Sequence, residues 1–198
     1  LHYTFDELRD DGVTLTLRWE TLAVPIVLGI DPDRVVLDSV ATQLRGIRQF
    51  FPDGWGQAAT WALQHDHLPE ASAWADSAIR IQPRFDGLNV KAAVLERQGN
   101  RAAADSLRQR AYGIATEPQL NAAGYQLLGA KRVDEAIVLF QRNVKAHPDS
   151  WNVYDSLAEA YGVKGEKRLA IVNYEKAASL TGDPAQKSRI AAAIAALR

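Results

Sequence analysis

Residues 150–183 read SWNVYDSLAEAYGVKGEKRLAIVNYEKAASLTGD. Tyr154, Leu157, Ala158 and Tyr161 recur at three- and four-residue intervals, the spacing of one face of an α-helix. A turn containing Gly165 follows, and Ala170, Tyr174 and Ala177 then mark one face of a second helix. The stretch is therefore read as a helical hairpin. Its small residues have a mechanical purpose, because two helices approach to about 8–10 Å only where their contact faces lack bulk.

The same pattern recurs upstream with a period of 34 residues. One period before Ala170 lies Ala136, with Phe140 and Val144 at matching offsets, Pro148 closing the unit, and Leu120, Ala123, Gly124 and Leu127 on its first helix. Further back Ala71, Ala75, Ala78 and Ile81 fill the same frame before Pro83, preceded by Trp55, Ala58, Ala59 and Ala62. Between these two lies a weaker copy. Leu88, Ala92 and Leu95 fit its first helix, whereas Ala103 and Leu107 fit only if the turn at Gly99 is one residue shorter. This arrangement resembles the tetratricopeptide repeat (TPR), a 34-residue helix-turn-helix unit. The expected fold class is mainly α, a TPR-like α-solenoid of helical hairpins preceded by a short β-hairpin or three-stranded β segment. The expected division is a β segment over 1–30, a connecting helix over 31–51 and four repeats over 52–84, 85–116, 117–149 and 150–183. A capping helix over 184–198 completes it, with Ile190, Ile194 and Leu197 inward and Gln186, Lys187 and Arg189 outward. Stacking of neighbouring hairpins would supply the stability.

Residues 1–30 follow a different period. Leu1, Tyr3 and Phe5, then Val13, Leu15, Leu17 and Trp19, alternate with polar neighbours around a turn at Asp10-Asp11-Gly12. Period two with β-branched filling predicts strands. A third apolar stretch runs from Val24 to Ile30, in which Pro25 points to an edge position or an irregular start. The elements Phe5-Asp6-Glu7-Leu8, Leu17-Arg18-Trp19-Glu20 and Val24-Pro25 resemble the end of an uncharacterised β-rich domain of exported bacterial proteins that precedes helical repeats. That resemblance implies a periplasmic or secreted protein, with a cytoplasmic one as the alternative, and makes these strands the last part of a larger sheet. Their unpaired edge is also a template for another strand.

From Asp31 a helix is expected, capped by Asp31, with Pro32 at its first position and Asp33 in its first turn. Val36, Val40, Leu44 and Ile47 would form its buried stripe, and Phe50, Phe51 and Pro52 would end it.

Composition narrows the function. A net charge of -1, with no basic cluster beyond Lys164, Lys167 and Arg168 around Glu166, argues against a nucleic-acid partner. The longest apolar run, VPIVLGI, is far short of the roughly 18 residues of a membrane span, and no signal-peptide pattern is read in these residues. With no cysteine there is no disulfide, thiolate nucleophile or cysteine zinc site. The absence of methionine, with Leu1 first, is read as a processed protein or an excised fragment.

Candidates for chemistry are few. His65-Asp66-His67, with Glu70 nearby, is the one local group that suggests a metal, but two histidines two apart on a helix diverge, so a polar inter-helix turn is the expectation. His2 and His147 stand alone. Ser150, Ser156 and Ser179 lack a nucleophile elbow, the glycines form neither a phosphate loop nor a dinucleotide fingerprint, and adjacent carboxylates such as Asp6 with Glu7 or Asp134 with Glu135 face apart. Trp55, Trp61, Trp74 and Trp151 are expected in the core, or as ligand anchors where exposed. No catalytic residue, metal site or cofactor is expected.

The TPR resemblance implies a concave groove lined by first helices. Here that places Gly56, Thr60 and Leu63 in the first repeat, Asn121, Tyr125 and Leu128 in the third, and Asn152, Asp155 and Glu159 in the fourth. The lysine and asparagine with which the family clamps acidic tails are replaced by Gly56 and Thr60. The expected function is a non-enzymatic protein-interaction or scaffold module holding a peptide or partner domain in that groove. The alternatives are a structural or oligomerisation module, supporting an upstream β domain or pairing with a second copy through residues 1–30, and an accessory part of an enzyme whose catalytic domain lies elsewhere.

Overall fold

The computed structural model describes residues 1–198 and divides them into two compact units, Leu1–Ala111 and Tyr112–Arg198. In the first unit the alternating segment forms a three-stranded antiparallel meander of β1 (His2–Arg9), β2 (Gly12–Trp19) and β3 (Leu22–Gly29), with β2 in the middle. Pro25 lies in the edge strand β3 opposite Thr16, where its missing N–H costs the sheet least. A bulge between Asp6 and Arg9, with Glu7 at φ 51°, bends the end of β1. Gly12 passes so close to the Leu28 carbonyl that no side chain fits there.

Helix α1 (Pro32–Gln43) begins as its sequence dictates, with the Arg34 N–H donating to Asp31 Oδ1 at 3.0 Å. It ends early. Gly46 takes an extended conformation, and a 3-10 turn over Ile47–Phe50 follows with about three residues per turn, so the helical phase is lost. The expected connecting helix over 31–51 is thus interrupted. Leu44 is buried, whereas Ile47, expected on the same stripe, is exposed.

Nine further helices follow: α2 (Pro52–Gln64), α3 (Leu68–Ile81), α4 (Phe85–Arg97), α5 (Arg101–Ile114), α6 (Glu117–Gly129), α7 (Val133–Ala146), α8 (Trp151–Lys164), α9 (Lys167–Leu180) and α10 (Pro184–Leu197). One turn is repeated after α2, α4, α6 and α8. Asp66, Gly99, Lys131 and Gly165 take left-handed backbone conformations at φ 64°, 83°, 61° and 85°. The next N–H, of His67, Asn100, Arg132 or Glu166, donates back across the turn to Ala62, Leu95, Leu127 or Tyr161 at 2.8–2.9 Å. This is the Schellman closure, which satisfies carbonyls that a helix end leaves open. The first N–H bond of each second helix then comes from Ala71, Ala104, Ala136 or Ala170. All four alanines are buried, so each turn delivers a small residue to the point where its two helices meet.

This register corrects one expectation. In the second hairpin Ala104, not Ala103, takes the key position, because Asn100 starts α5 and its Oδ1 accepts the N–H of Ala103 at 3.3 Å. The intervals between key alanines are 33, 32 and 34 residues. The TPR-like hairpins and the preceding three-stranded segment agree with the expected fold class.

The core of the first unit joins Ala59 and Ala62 of α2, Ala71 and Ala75 of α3, and Val90 and Val94 of α4, with Trp61, Leu63 and Trp74 packed against them. In the second unit Ala136, Ile137 and Phe140 of α7 meet Leu157 and Ala160 of α8. Ala158 then meets Tyr174, Ala177 and Ile190, so α10 covers the apolar face of the last hairpin. No helix is long and apolar enough to cross a membrane.

Candidate functional site

The second unit gathers polar side chains from the first helices of two successive hairpins. Tyr125 on α6 donates its hydroxyl proton to Glu159 Oε2 on α8 at 2.6 Å, with Ser156 Oγ at 3.3 Å. The same ring meets Phe140 edge-on, centroids 5.4 Å apart. One turn earlier on α8, Asp155 is buried and forms an ion pair of 2.7 Å with Arg189 of α10. At the start of α6, Glu117 Oε1 accepts from Ser150 Oγ at 2.9 Å and from Asn152 Nδ2 at 3.3 Å. Asn121 lies between these groups on α6, and its Oδ1 is buried and accepts no hydrogen bond from the protein.

Electrostatics follow from this crowding. Burial, reinforced by the Glu159 carboxylate that accepts its proton, pushes the Tyr125 phenol above its ordinary value. Burial likewise pushes Tyr174 up to about 12, helped by the negative charges of Glu159 and Asp155. The hydrogen bond to Asp155 holds the Arg189 guanidinium above its usual value. Arg189 is exposed, as expected, and its guanidinium reaches that carboxylate.

Of the expected groove residues, Tyr125 and Glu159 are in contact, Asn152 meets Glu117, and Asp155 is occupied by Arg189. Leu128 is partly buried and packs against the Phe140 cluster. Thr60 and Leu63 belong to the first unit. The Thr60 hydroxyl donates to the Gly56 carbonyl of its own helix at 2.9 Å, Gly56 is buried, and Leu63 packs on the alanine core. Glu117, Ser156, Tyr174 and Arg189 were not among the residues expected in the groove. A signal was available: Tyr125 and Ser156 are 31 residues apart, Tyr125 and Glu159 are 34 apart, and the pairs Arg84–Asp53 and Arg97–Asp66 repeat the offset of 31 in the first unit.

The histidine pair is engaged locally. His65 stacks on Trp61 at 4.2 Å and its Nδ1 bonds the Trp61 carbonyl at 2.9 Å. His67 turns its Nε2 toward Asp33, 3.4 Å away, while Asp66 pairs with Arg97 at 2.8 Å. No three His, Asp or Glu side chains are placed to share an ion.

No family model matches the chain, and no curated protein is detectably similar to it in sequence. Several solved structures are similar in fold. YrrB, described as a TPR protein with an unusual peptide-binding site, is 17% identical over 77% of this chain and 80% of its own, with a TM-score of 0.44. PilF of Pseudomonas aeruginosa is 20% identical over 82% of this chain and 69% of its own, with a TM-score of 0.46. MamA is 14% identical over 83% of this chain and 99% of its own, with a TM-score of 0.47.

Proposed function

We propose that the chain is a non-enzymatic protein-interaction module, and that the α6–α8 face of its second unit holds an extended peptide segment. Asn121 carries the reading. A buried carboxamide oxygen without a donor costs on the order of 1–3 kcal/mol, a cost that turning the Asn121 side chain toward a ligand N–H would relieve. An extended peptide presents such N–H groups at regular intervals, and the Asn152 carboxamide lies on the facing helix. Glu117, Asp155 and Glu159 against the single Arg189 leave the face acidic, which favours a peptide with a Lys or Arg side chain near Glu159.

The test is fluorescence anisotropy with a labelled library of extended decapeptides. Saturable binding that favours basic sequences, weakened at least tenfold by Asn121→Ala and by Tyr125→Ala, is expected. Absence of saturable binding, or binding that both variants leave intact, overturns the assignment.

A further inference from the structure

The sheet of the first unit has two unlike faces. Pairing of Tyr3 with Leu17 and Val24, of Phe5 with Leu15 and Ile26, and of Val13 with Leu28 puts these side chains on one side, where Trp19 and Leu22 join them. That side carries no charged residue. Thr4, Asp6, Thr14, Thr16 and Arg18 lie on the other, beside Ala23, Pro25 and Val27 of β3, and are tied together by Thr4–Asp6 and Arg18–Asp6 contacts of 3.0 and 3.5 Å. The apolar side is open: Phe5 is 74% exposed, Tyr3 60%, Trp19 61% and Ile26 44%. A sheet with one apolar face is stable when that face is buried against a second layer, and patches of this extent mark interaction surfaces.

We propose that the second layer is the same face of a second copy of this chain, giving a six-stranded, two-layer sandwich across a two-fold axis. Three arguments select this occupant. First, a face without charge is self-complementary, so an isologous contact buries no like-charge pair. Second, a two-fold axis parallel to β2 sets the aromatic strand β1, with Tyr3 and Phe5, over the aliphatic strand β3, with Val24, Ile26 and Leu28, large side chains against smaller ones. Third, the exposed side chains offer on the order of 600 Å² per copy at the areas that aromatic and aliphatic groups present, so pairing removes about 1,200 Å², where specific stable interfaces begin. A lipid surface fits less well. The charges around the sheet are five acidic (Asp6, Glu7, Asp10, Asp11 and Glu20) against Arg9 and Arg18, the wrong sign for anionic headgroups.

The experiment uses the whole chain. Light scattering after size exclusion, at concentrations up to a few hundred micromolar, is expected to give twice the 21.8 kDa chain mass. The double variant Phe5→Lys/Ile26→Lys is expected to give a monomer with an unchanged helical circular-dichroism signal, and Thr4→Lys, on the opposite face, to remain a dimer. The chain has no cysteine, so single introduced thiols report geometry cleanly. Leu15→Cys, at the centre of the face, should cross-link between copies at least tenfold faster than Thr4→Cys. A monomeric chain across the whole range overturns the proposal, and the layer then comes from another polypeptide segment. A dimer that survives Phe5→Lys/Ile26→Lys, or that cross-links equally through Thr4→Cys, also overturns it, in favour of edge pairing or a helical interface. So does co-sedimentation of the unmodified chain with neutral phosphatidylcholine vesicles, which would assign the face to lipid.

Discussion

Tyr125 on α6 and Glu159 on α8 are joined by a hydrogen bond of 2.6 Å, the shortest link between the first helices of the two hairpins of the second unit. The acceptor is a carboxylate and the donor ring rests on buried Phe140, so the bond couples packing to charge. A hydrogen bond to an ionised group contributes about 1.5–3 kcal/mol, less where water competes, as it does at this partly exposed ring. Tyr125→Phe is therefore expected to destabilise the second unit by about 1 kcal/mol, and Glu159→Gln by a similar amount. In a double-mutant cycle read by chemical denaturation, the two losses should fall short of additivity by about 0.5–1.5 kcal/mol. Strict additivity would mean that the bond contributes nothing.

The raised phenols make stability fall at high pH. Tyr174 ordinarily loses its proton near 10 and in the fold does so at about 12, because burial and the charges of Glu159 and Asp155 disfavour the phenolate. The folded state then binds more protons than the unfolded chain across that window, so stability is fully present below pH 10 and is lost as pH rises toward 12. Tyr125 acts in the same sense, as does Lys164, whose ammonium is held up by its hydrogen bond to Asp134. Denaturation midpoints between pH 9 and 12 should decline, and Tyr174→Phe should flatten the slope while leaving most of the packing in place. An unchanged slope in that variant would assign the effect to other groups.

Gly124 is required by shape. A methyl group built on it would lie 2.5 Å from Phe140 Cζ, and Phe140 is fully buried with Tyr125 against its edge, so the ring has nowhere to go. Overpacking of this kind costs about 1–3 kcal/mol, more than the fraction of a kcal/mol that alanine gains over glycine in a helix. Gly124→Ala should lower the melting temperature of the second unit, whereas Gly129→Ala, with open space around it, should not. Equal melting of the two variants would show that the α6–α7 contact yields easily.

The helical hairpins were legible because one physical pattern is written four times: alanines where helices meet after a turn, which Gly99 and Gly165 mark in two of the four. Pro25 marked an edge strand, and Asp31 with Pro32 marked a helix start, for equally local reasons. What failed was whatever depended on phase. Extending one helix through Gly46 carried Ile47 onto a stripe that a 3-10 turn removes, and counting from Gly99 without Asn100 shifted an alanine by one place. The candidate site was legible only in part. The TPR resemblance named Asn121, Tyr125 and Glu159 by their place on first helices, but the pairing of Asp155 with Arg189 joins helices that do not belong to one repeat, and no periodicity carries it.

The left-handed turns give a last prediction, because the same backbone is met by two glycines and two residues with side chains. Lys131 holds φ 61° although a Cβ is disfavoured there by about 1–2 kcal/mol, while Gly165 holds φ 85° in the equivalent turn at no such cost. The Lys131 N–H donates to Leu128 O and the Gly165 N–H to Gly162 O in the same way, so the hydrogen bonding of the two turns is matched. Lys131→Gly should then stabilise the second unit by about 0.5–1 kcal/mol, reduced by the extra freedom glycine gives the unfolded chain. Gly165→Ala should destabilise by about 1 kcal/mol, since its φ lies where side chains are strained although nothing crowds it. Both are read from urea midpoints at constant m-value. Lys131→Gly acting as a destabiliser would mean that the lysine side chain contributes more to the turn than its backbone strain costs.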